Sequence, residues 1–164
     1  MADHTNIQDD TNLTPPADAD DAMAMLKADH QRVRALFQQY ETARDPDAQR
    51  EVAEQVFVEL EVHAQLEELV FYPAFERADD EAGKQLVEEA RQEHQTVKDT
   101  IAELRGLEVE EEFDERFQEL MENVEHHVQE EETEMFPKAQ QLLADQTLAL
   151  SDEMQDIKQQ LLKA

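Results

Sequence analysis

The sequence predicts an all-α protein, an antiparallel up-down four-helix bundle with a short extra C-terminal helix. Three observations support this fold class. The 164 residues include only two Gly and five Pro, a composition that suits helices better than sheets and turns. Apolar residues recur at alternating steps of four and three in four long segments, which keeps one stripe of each helix facing a core. The length suits one domain with one core.

The first two segments are separated by a helix-start signal. The first runs from about Asp18 to Ala43, and the second opens at Asp45-Pro46, where Asp can cap free N–H groups and Pro suits the first turn. Pro73 is expected to bend or stop the second helix nearby. The expected buried stripes are Leu26, His30, Val33, Phe37 and Tyr40 in the first segment, and Val56, Leu60, His63, Glu67 and Val70 in the second.

The other two long segments repeat this arrangement. The third begins around Asp79 or Asp80 and ends before Gly106, a residue that suits a helix C-terminus. The fourth begins near Glu110 and has Pro137 near its end. The expected stripes are Val87, Ala90, His94, Val97, Ile101 and Leu104 in the third segment, and Phe113, Phe117, Leu120, Val124, His127 and Glu131 in the fourth.

Three regions follow from these segments. Residues 1–17 are polar, lack periodicity and contain Pro15-Pro16, so we expect a disordered N-terminal arm. Residues 18–143 form the predicted bundle. Residues 144–164 form a C-terminal extension, in which a fifth helix from about Ser151 to Leu162 is expected to cap the bundle or to mediate self-association, as in a homo-oligomer.

Composition excludes several classes of function. The formal net charge is -28, with 42 acidic and 14 basic side chains, so no basic patch is expected to bind nucleic acid or an anionic membrane. This acidity favours a halophilic protein that works in a salty cytoplasm, since salt screens the repulsion. The chain has no Cys, which leaves only nitrogen and oxygen ligands for a metal. With neither a signal peptide nor a long apolar run, we expect a cytoplasmic location.

The chain repeats itself with a constant offset of 64 positions. His30-Gln31-x-Val33 recurs as His94-Gln95-x-Val97. His63-x-x-x-Glu67, followed by Pro73, recurs as His127-x-x-x-Glu131, followed by Pro137. This pattern indicates a duplicated helix pair and predicts approximate two-fold symmetry.

Spacing predicts that the four stripe histidines meet. Two residues on consecutive antiparallel helices lie at one height when the turn falls midway between them. The midpoints between successive stripe histidines fall at 46–47, 78–79 and 110–111, in or beside the expected loops. Glu67 and Glu131 should lie one turn away on the same faces. Four imidazoles and two carboxylates in a core are costly when unpaired, so the layer is expected to hold a pair of divalent metal ions, and the mixed ligand set favours iron.

These motifs resemble a known family. The elements Asp29-His30-x-x-Val33-x-x-Leu36-Phe37, His63-x-x-x-Glu67-Glu68-x-x-Phe71-x-Pro73, Glu93-His94 and His127-x-x-x-Glu131-Glu132-x-x-x-Phe136-Pro137 resemble the bacterial hemerythrin-like domains, also called HHE cation-binding domains, over about residues 22–140. The resemblance implies a non-haem di-iron centre that is carboxylate-bridged and oxo- or hydroxo-bridged. It places one iron on His30 and His63 and the other on His94 and His127, with Glu67 and Glu131 as bridges.

The resemblance also implies a function. Hemerythrin-like domains handle dioxygen, peroxide or nitric oxide, or sense iron. Oxygen-carrying hemerythrins have a second His four residues after the third-helix His, where this chain has Lys98, and Arg34 occupies the matching position of the first repeat. They also carry an Asp five residues after the fourth-helix His, where this chain has Glu at four. These departures favour open coordination and redox chemistry or sensing over reversible oxygen carriage.

Other interpretations remain open at this stage. A regulatory or storage bundle would bind iron without turnover, and a purely structural bundle would bind no metal. A ferritin-like centre is disfavoured because no His has Glu three residues before it, and a zinc hydrolase lacks a visible nucleophile. No catalytic residue is assigned. Tyr40 is expected to be a core residue, with an approach to the metals as the alternative, and His126 is expected to lie at the surface or beside the ligands. Glu68 and Glu132 are expected to be solvated, with a role beside the ligands as the alternative.

Overall fold

The computed structural model describes residues 21–79 and 81–163, and these residues are almost entirely helical. Two π-helical turns, π1 (Glu67–Phe71) and π2 (Glu131–Met135), each join two α-helices into one longer rod. The α-helices are α1 (Ala22–Thr42), α2 (Pro46–Leu66), α3 (Tyr72–Ala78), α4 (Glu81–Arg105), α5 (Glu111–Glu130), α6 (Phe136–Leu142) and α7 (Thr147–Lys163).

Four rods form the bundle. They are α1, then α2 with π1 and α3, then α4, then α5 with π2 and α6. The rods α1 and α2 pack together, as do α4 and α5, while contacts of α3 with α4 and of α1 with α6 join the two pairs. The predicted all-α bundle is confirmed. The predicted N-terminal arm, residues 1–17, lies outside the described residues.

The helix starts follow from capping. The Asp45 carboxylate accepts a hydrogen bond from the Ala48 backbone N–H at 2.9 Å, and Pro46 occupies the first helical position. This confirms the predicted start of α2, because Pro has no N–H to leave unpaired. Asp21 caps α1 in the same way by accepting from the backbone N–H of Met23 at 2.9 Å.

Of the two alternatives expected at Pro73, a bend or a stop, the stop is wrong. The second rod continues to Ala78, and the fourth continues past Pro137 to Leu142. In the π turns a backbone N–H donates to the carbonyl five residues earlier. The Tyr72 N–H, for example, donates to the Glu67 carbonyl. A proline in a helix lacks an N–H and crowds the carbonyl four residues earlier. The wider turn just before each proline accommodates it.

The buried polar layer divides the apolar core into two clusters. One cluster contains Leu26, Phe71, Phe75 and Met154, and the other contains Phe37, Phe57, Phe113 and Phe117. Between them lie buried His, Glu and Asp side chains. Apolar packing above and below therefore holds the four rods in register at the height of the polar residues.

The C-terminal helix α7 packs across α1, α2 and π1. It begins at Thr147, four residues before the predicted start, and it buries Leu150 and Met154 in the first apolar cluster. On its next turn Lys158 reaches Asp29, with Nζ 2.9 Å from Oδ1. The helix therefore covers one face of the bundle, and self-association through it stays a prediction. None of the helices in residues 21–79 and 81–163 is long and apolar enough to cross a membrane.

Candidate metal centre

The four stripe histidines meet in one layer, as the spacing predicts. The Nε2 atoms of His30 and His63 lie 3.2 Å apart, and so do those of His94 and His127. All four side chains are buried. Each pair joins two neighbouring rods, so the layer crosses the whole bundle.

Two carboxylates link these histidine pairs. Glu67 Oε1 lies 3.0 Å from His63 Nε2 and 3.2 Å from His94 Nε2. Glu131 Oε1 lies 3.2 Å from His30 Nε2, while its Oε2 lies 3.3 Å from His127 Nε2. Each carboxylate therefore contacts one histidine from each pair, which is the arrangement that a bridging ligand requires.

A second set of carboxylates faces the outer ring nitrogens. The Nδ1 atom of His63 donates to Asp29 Oδ2 at 3.0 Å, and that of His127 donates to Glu93 Oε1 at 2.9 Å. These two pairs are related by the repeat offset. The remaining partners, also related by the offset, are Glu132, 3.2 Å from His30 Nδ1, and Glu68, 3.7 Å from His94 Nδ1.

The outer carboxylates determine how the imidazoles face the centre. An ionised carboxylate only accepts hydrogen bonds, so the Nδ1 atoms that face Asp29, Glu93 and Glu132 carry protons. The Nε2 lone pairs then point inward at one another and at the two bridging carboxylates. Such a convergence of lone pairs is stable only when positive charge, from protons or from metal ions, lies between them.

The carboxylates of Glu67 and Glu131 are buried, and three of their four oxygens lack hydrogen bonds among the described residues. Glu67 is 0% exposed, Glu131 is 2% exposed, and among the described residues neither Glu67 oxygen nor Glu131 Oε1 has a hydrogen-bond partner. A buried unpaired carboxylate costs several kcal/mol. The donor set of four nitrogens and two carboxylates therefore fits metal ions, and the apolar clusters on both sides exclude water from it.

The pKa values report the same need for positive charge. Burial lowers the pKa of His127, but the carboxylates of Glu131, Glu67 and Glu93 outweigh burial and raise it well above its usual range. Burial likewise opposes ionisation of Glu67, yet the charge of His63, with the neighbouring groups, outweighs burial and holds the pKa of Glu67 well below normal. Protons therefore supply the positive charge when no metal is bound.

The sequence reasoning missed Tyr72. Its hydroxyl lies 2.5 Å from Glu131 Oε2 and 3.2 Å from His94 Nε2. Burial and the charges of Glu131 and Glu67 raise the pKa of Tyr72 well above its usual value, so the hydroxyl keeps its proton and donates it. Tyr72 follows Glu67 by five residues, a spacing that an α-helical stripe places on another face. The π turn restores it to the same face, and the only sequence signal is the neighbouring proline.

The remaining predicted residues lie in the apolar core, among the carboxylates that face the Nδ1 atoms, or at the surface. Tyr40 is a core residue that stacks on Phe117 and donates to Asp114. Glu68 and Glu132 are only partly exposed and both face histidine rings, which favours the alternative of a role beside the ligands over solvation. The nearby His94 ring and the Lys98 ammonium lower the pKa of Glu68 to about 2. His126 is exposed, as expected.

Lys98 and Arg34 hold outer carboxylates. Lys98 Nζ lies 2.9 Å from both oxygens of Glu68, and Arg34 contacts Glu125 at 2.8 Å and Glu132 at 3.9 Å. At these repeat-related positions the chain thus has cations that orient carboxylates instead of additional imidazole ligands.

Comparison with known proteins agrees with this geometry. The family model of the hemerythrin HHE cation-binding domain matches residues 21–139. A hemerythrin-like protein of Schizosaccharomyces pombe is 32% identical over 119 residues, which cover 72% of this chain and 59% of that protein. A protein of Nostoc sp. named DNA nickase is 28% identical over 113 residues, which cover 68% of this chain and 31% of that protein. The matches thus span about a third to three fifths of these relatives.

A solved structure shows the same fold. The crystal structure of a hemerythrin HHE cation-binding domain-containing protein from Mycobacterium kansasii superposes with a TM-score of 0.74, at 22% identity, and each chain is covered over 86% of its length. Together with the family match over residues 21–139, this agreement identifies the chain as a member of the hemerythrin HHE cation-binding domain family.

Proposed function

We propose that this chain is a non-haem di-iron protein that binds or processes a small oxidant. The observation that carries the proposal is the convergence of four buried Nε2 atoms on two buried carboxylates, three of whose four oxygens have no hydrogen-bond partner among the described residues. One iron would be held by His30 and His63 and the other by His94 and His127. Glu67 and Glu131 would bridge them, because each contacts both histidine pairs.

The ligand chemistry supports iron. Imidazole binds several transition metals, whereas carboxylate favours harder ions, so a mixed set with open positions suits iron better than copper or zinc. Thiolate is unavailable because the chain has no Cys. Two iron ions, when bound, supply the electron transfer that side chains cannot perform.

An apolar cavity beside the histidine layer supports a small ligand. Its volume is about 40 Å³, which exceeds the roughly 10–15 Å³ that one water needs. Its lining includes the four histidines, several apolar side chains such as Val33, Ile101 and Val124, and also Glu61 and Lys98. A cavity of this size and polarity fits dioxygen, nitric oxide or hydrogen peroxide, and its apolar wall limits the entry of water and larger anions.

The side chains around the layer have separable roles in this proposal. The Tyr72 hydroxyl oxygen lies 2.5 Å from Glu131 Oε2 and 3.2 Å from His94 Nε2. A ligand that gains negative charge at this position would need such a proton donor. Asp29 and Glu93 hold two imidazole rings through their Nδ1 atoms. That contact keeps the Nε2 lone pairs directed inward and raises their basicity.

Metal analysis of aerobically purified full-length protein tests the proposal. We expect two iron ions per chain and near-ultraviolet absorption from a ferric pair, with a shift when azide or peroxide is added. Glu67→Gln and His94→Ala should each lower the iron content and abolish the shift. His4→Ala, the matched histidine change outside these motifs, should leave both unchanged. A chain without iron, or with iron that His94→Ala does not affect, would refute the proposal.

A turnover assay separates the two forms of the proposed function. Steady consumption of hydrogen peroxide by the iron-loaded protein would assign it an oxidoreductase activity. Iron binding without turnover would assign the sensing or storage role, in which occupancy alone carries the signal.

A further inference from the structure

A second cluster of metal-binding side chains lies on the surface next to the centre. His126 Nε2 is 3.0 Å from Glu130 Oε1 and 3.8 Å from Glu93 Oε2. Ligand atoms of these three residues all lie within 4.8 Å of one another. One imidazole and two carboxylates are a ligand set that divalent transition metals accept, and the exposed edge leaves positions for water.

Glu93 belongs to both the surface cluster and the outer ring of the centre. Its Oε1 accepts from His127 Nδ1 at 2.9 Å, while Oε2 faces His126. Its two oxygens therefore face different histidines, one buried and one exposed. An ion bound to Oε2 would sit one side chain away from a buried histidine.

The surface around the cluster leads inward. An open groove is lined by Glu89, Gln92, Glu93, Thr96 and Glu130. A narrower cleft shares Glu89, Glu93 and Glu130 with this groove and is also lined by His127 and Glu131. Glu131 is 2% exposed, and its Oε1 has no hydrogen-bond partner among the described residues. Glu131 thus contributes a buried carboxylate to the lining of this cleft.

The repeat supplies an internal comparison. The positions that match Glu93, His126 and Glu130 in the first half are Asp29, Val62 and Leu66. There Asp29 is 1% exposed and held by Lys158, and Leu66 is packed in the apolar cluster with Met154 of α7. In the second half His126 is 69% exposed. The first half therefore has a face closed by α7, and the second half has an open, acidic face.

We propose that Glu93, His126 and Glu130 bind a divalent transition-metal ion at the surface and pass it inward to His127 and Glu131. The surface site depends only on its own three ligands. Delivery of the ion, in contrast, rests on the proposed function, because it requires the buried metal centre. Transfer needs only ligand exchange, in which the ion leaves His126 and Glu130 and gains the buried donors. The ion keeps its charge throughout, and any proton displaced from the inner histidines leaves to solvent.

Anaerobic titration of metal-free full-length protein with Co²⁺ tests the site. Calorimetry should show two tightly bound ions and one weaker ion per chain, and His126→Ala should remove only the weaker one. Glu130→Gln should weaken that ion about tenfold, a typical effect of losing one supporting ligand. Glu122→Gln, on the exposed surface of the same helix, should change nothing.

A variant that lacks two ligands of the buried metal centre separates this proposal from the proposed function. His30→Ala combined with His94→Ala removes two core ligands, and thermal unfolding checks that it still folds. It should retain one Co²⁺ that disappears when His126→Ala is added. If it binds none, or if its ion survives His126→Ala, the surface site is refuted. A wild-type chain that bound only the His126-dependent ion would refute the di-metal centre and uphold the surface site.

The rate at which the buried centre binds metal tests the proposed delivery. Stopped-flow absorption should show that His126→Ala slows the loading of the core by about tenfold without changing its final occupancy. Loading at the wild-type rate would refute delivery.

Discussion

The Tyr72 hydroxyl donates to Glu131 across the bundle at 2.5 Å, although the two residues come from different halves of the repeat. The position of Tyr72 in the first half is occupied by Phe136 in the second, and that ring instead stacks on His30. The layer is therefore two-fold symmetric in its histidines and bridging carboxylates but has a hydroxyl donor on one side only. This asymmetry makes the surroundings of the two histidine pairs chemically different.

Tyr72→Phe should separate metal binding from reactivity. The metal-free variant loses the donor to a buried carboxylate, so its free energy of unfolding should fall by about 1–3 kcal/mol, measured by chemical denaturation. Iron should still bind, while the spectral response to peroxide should change because the nearby proton is gone. Tyr40→Phe, which removes a buried hydroxyl far from the layer, is the matched control. An unchanged peroxide response in Tyr72→Phe would contradict this role.

Lys158→Met should weaken metal binding specifically at the pair formed by His30 and His63. Lys158 reaches from α7 to Asp29, which holds His63, and Arg32 also contacts this carboxylate. Without Lys158 the buried carboxylate loses one cation, and we expect metal affinity to fall about tenfold. Calorimetric titration measures this effect. Lys158→Arg should restore most of the affinity, and Lys163→Met should have none of the effect. Equal losses in Lys158→Met and Lys163→Met would show that α7 acts only through general stability.

The stability of the metal-free protein should fall as pH rises above neutrality. In the folded chain the pKa values of His63, His94 and His127 are raised, because nearby carboxylates outweigh the effect of burial. A raised folded-state pKa contributes stability below the unfolded-state value of about 6.5, and that stability is lost as pH rises through the folded-state value. The melting temperature between pH 6 and pH 9, with and without metal, measures this.

The metal-loaded protein should respond differently. Metal replaces the protons, so its affinity should rise with pH over the same range, and proton release on binding should be detectable by calorimetry in buffers of different ionisation enthalpy. If the melting temperature of the metal-free protein, measured at constant high salt, did not change with pH, this would contradict protonation of the buried histidines.

Salt should stabilise the folded chain. A formal net charge of -28 over 164 residues creates strong self-repulsion, and the Debye length falls from roughly 10 Å at 0.1 M to roughly 3 Å at 1 M. We expect the melting temperature to rise between low and molar KCl. Because iron content affects stability separately, the series is run with metal-free protein. A flat or falling melting temperature would argue against adaptation to a salty interior.

Much of the fold and the inner layer is predictable from the sequence. The four-three apolar spacing indicates the four rods, and Asp45-Pro46 predicts the start of α2. The 64-residue offset, together with midpoints at the loops, predicts that His30, His63, His94 and His127 share one height. These inferences succeed because helix rise and turn position are local properties, so distance along the chain converts directly into height in an antiparallel bundle.

Other features were decided only by the tertiary structure. The π turns carry the rods past Pro73 and Pro137 and bring Tyr72 to the layer, a placement that α-helical periodicity does not contain. The outer carboxylates and Lys158 reach their partners from other helices, and the closure of one face by α7 leaves the cluster at His126 open. Sequence spacing determines which residues share a stripe. Which side chains meet across neighbouring helices depends on how the rods are rotated and packed, because that contact is a property of the assembled bundle.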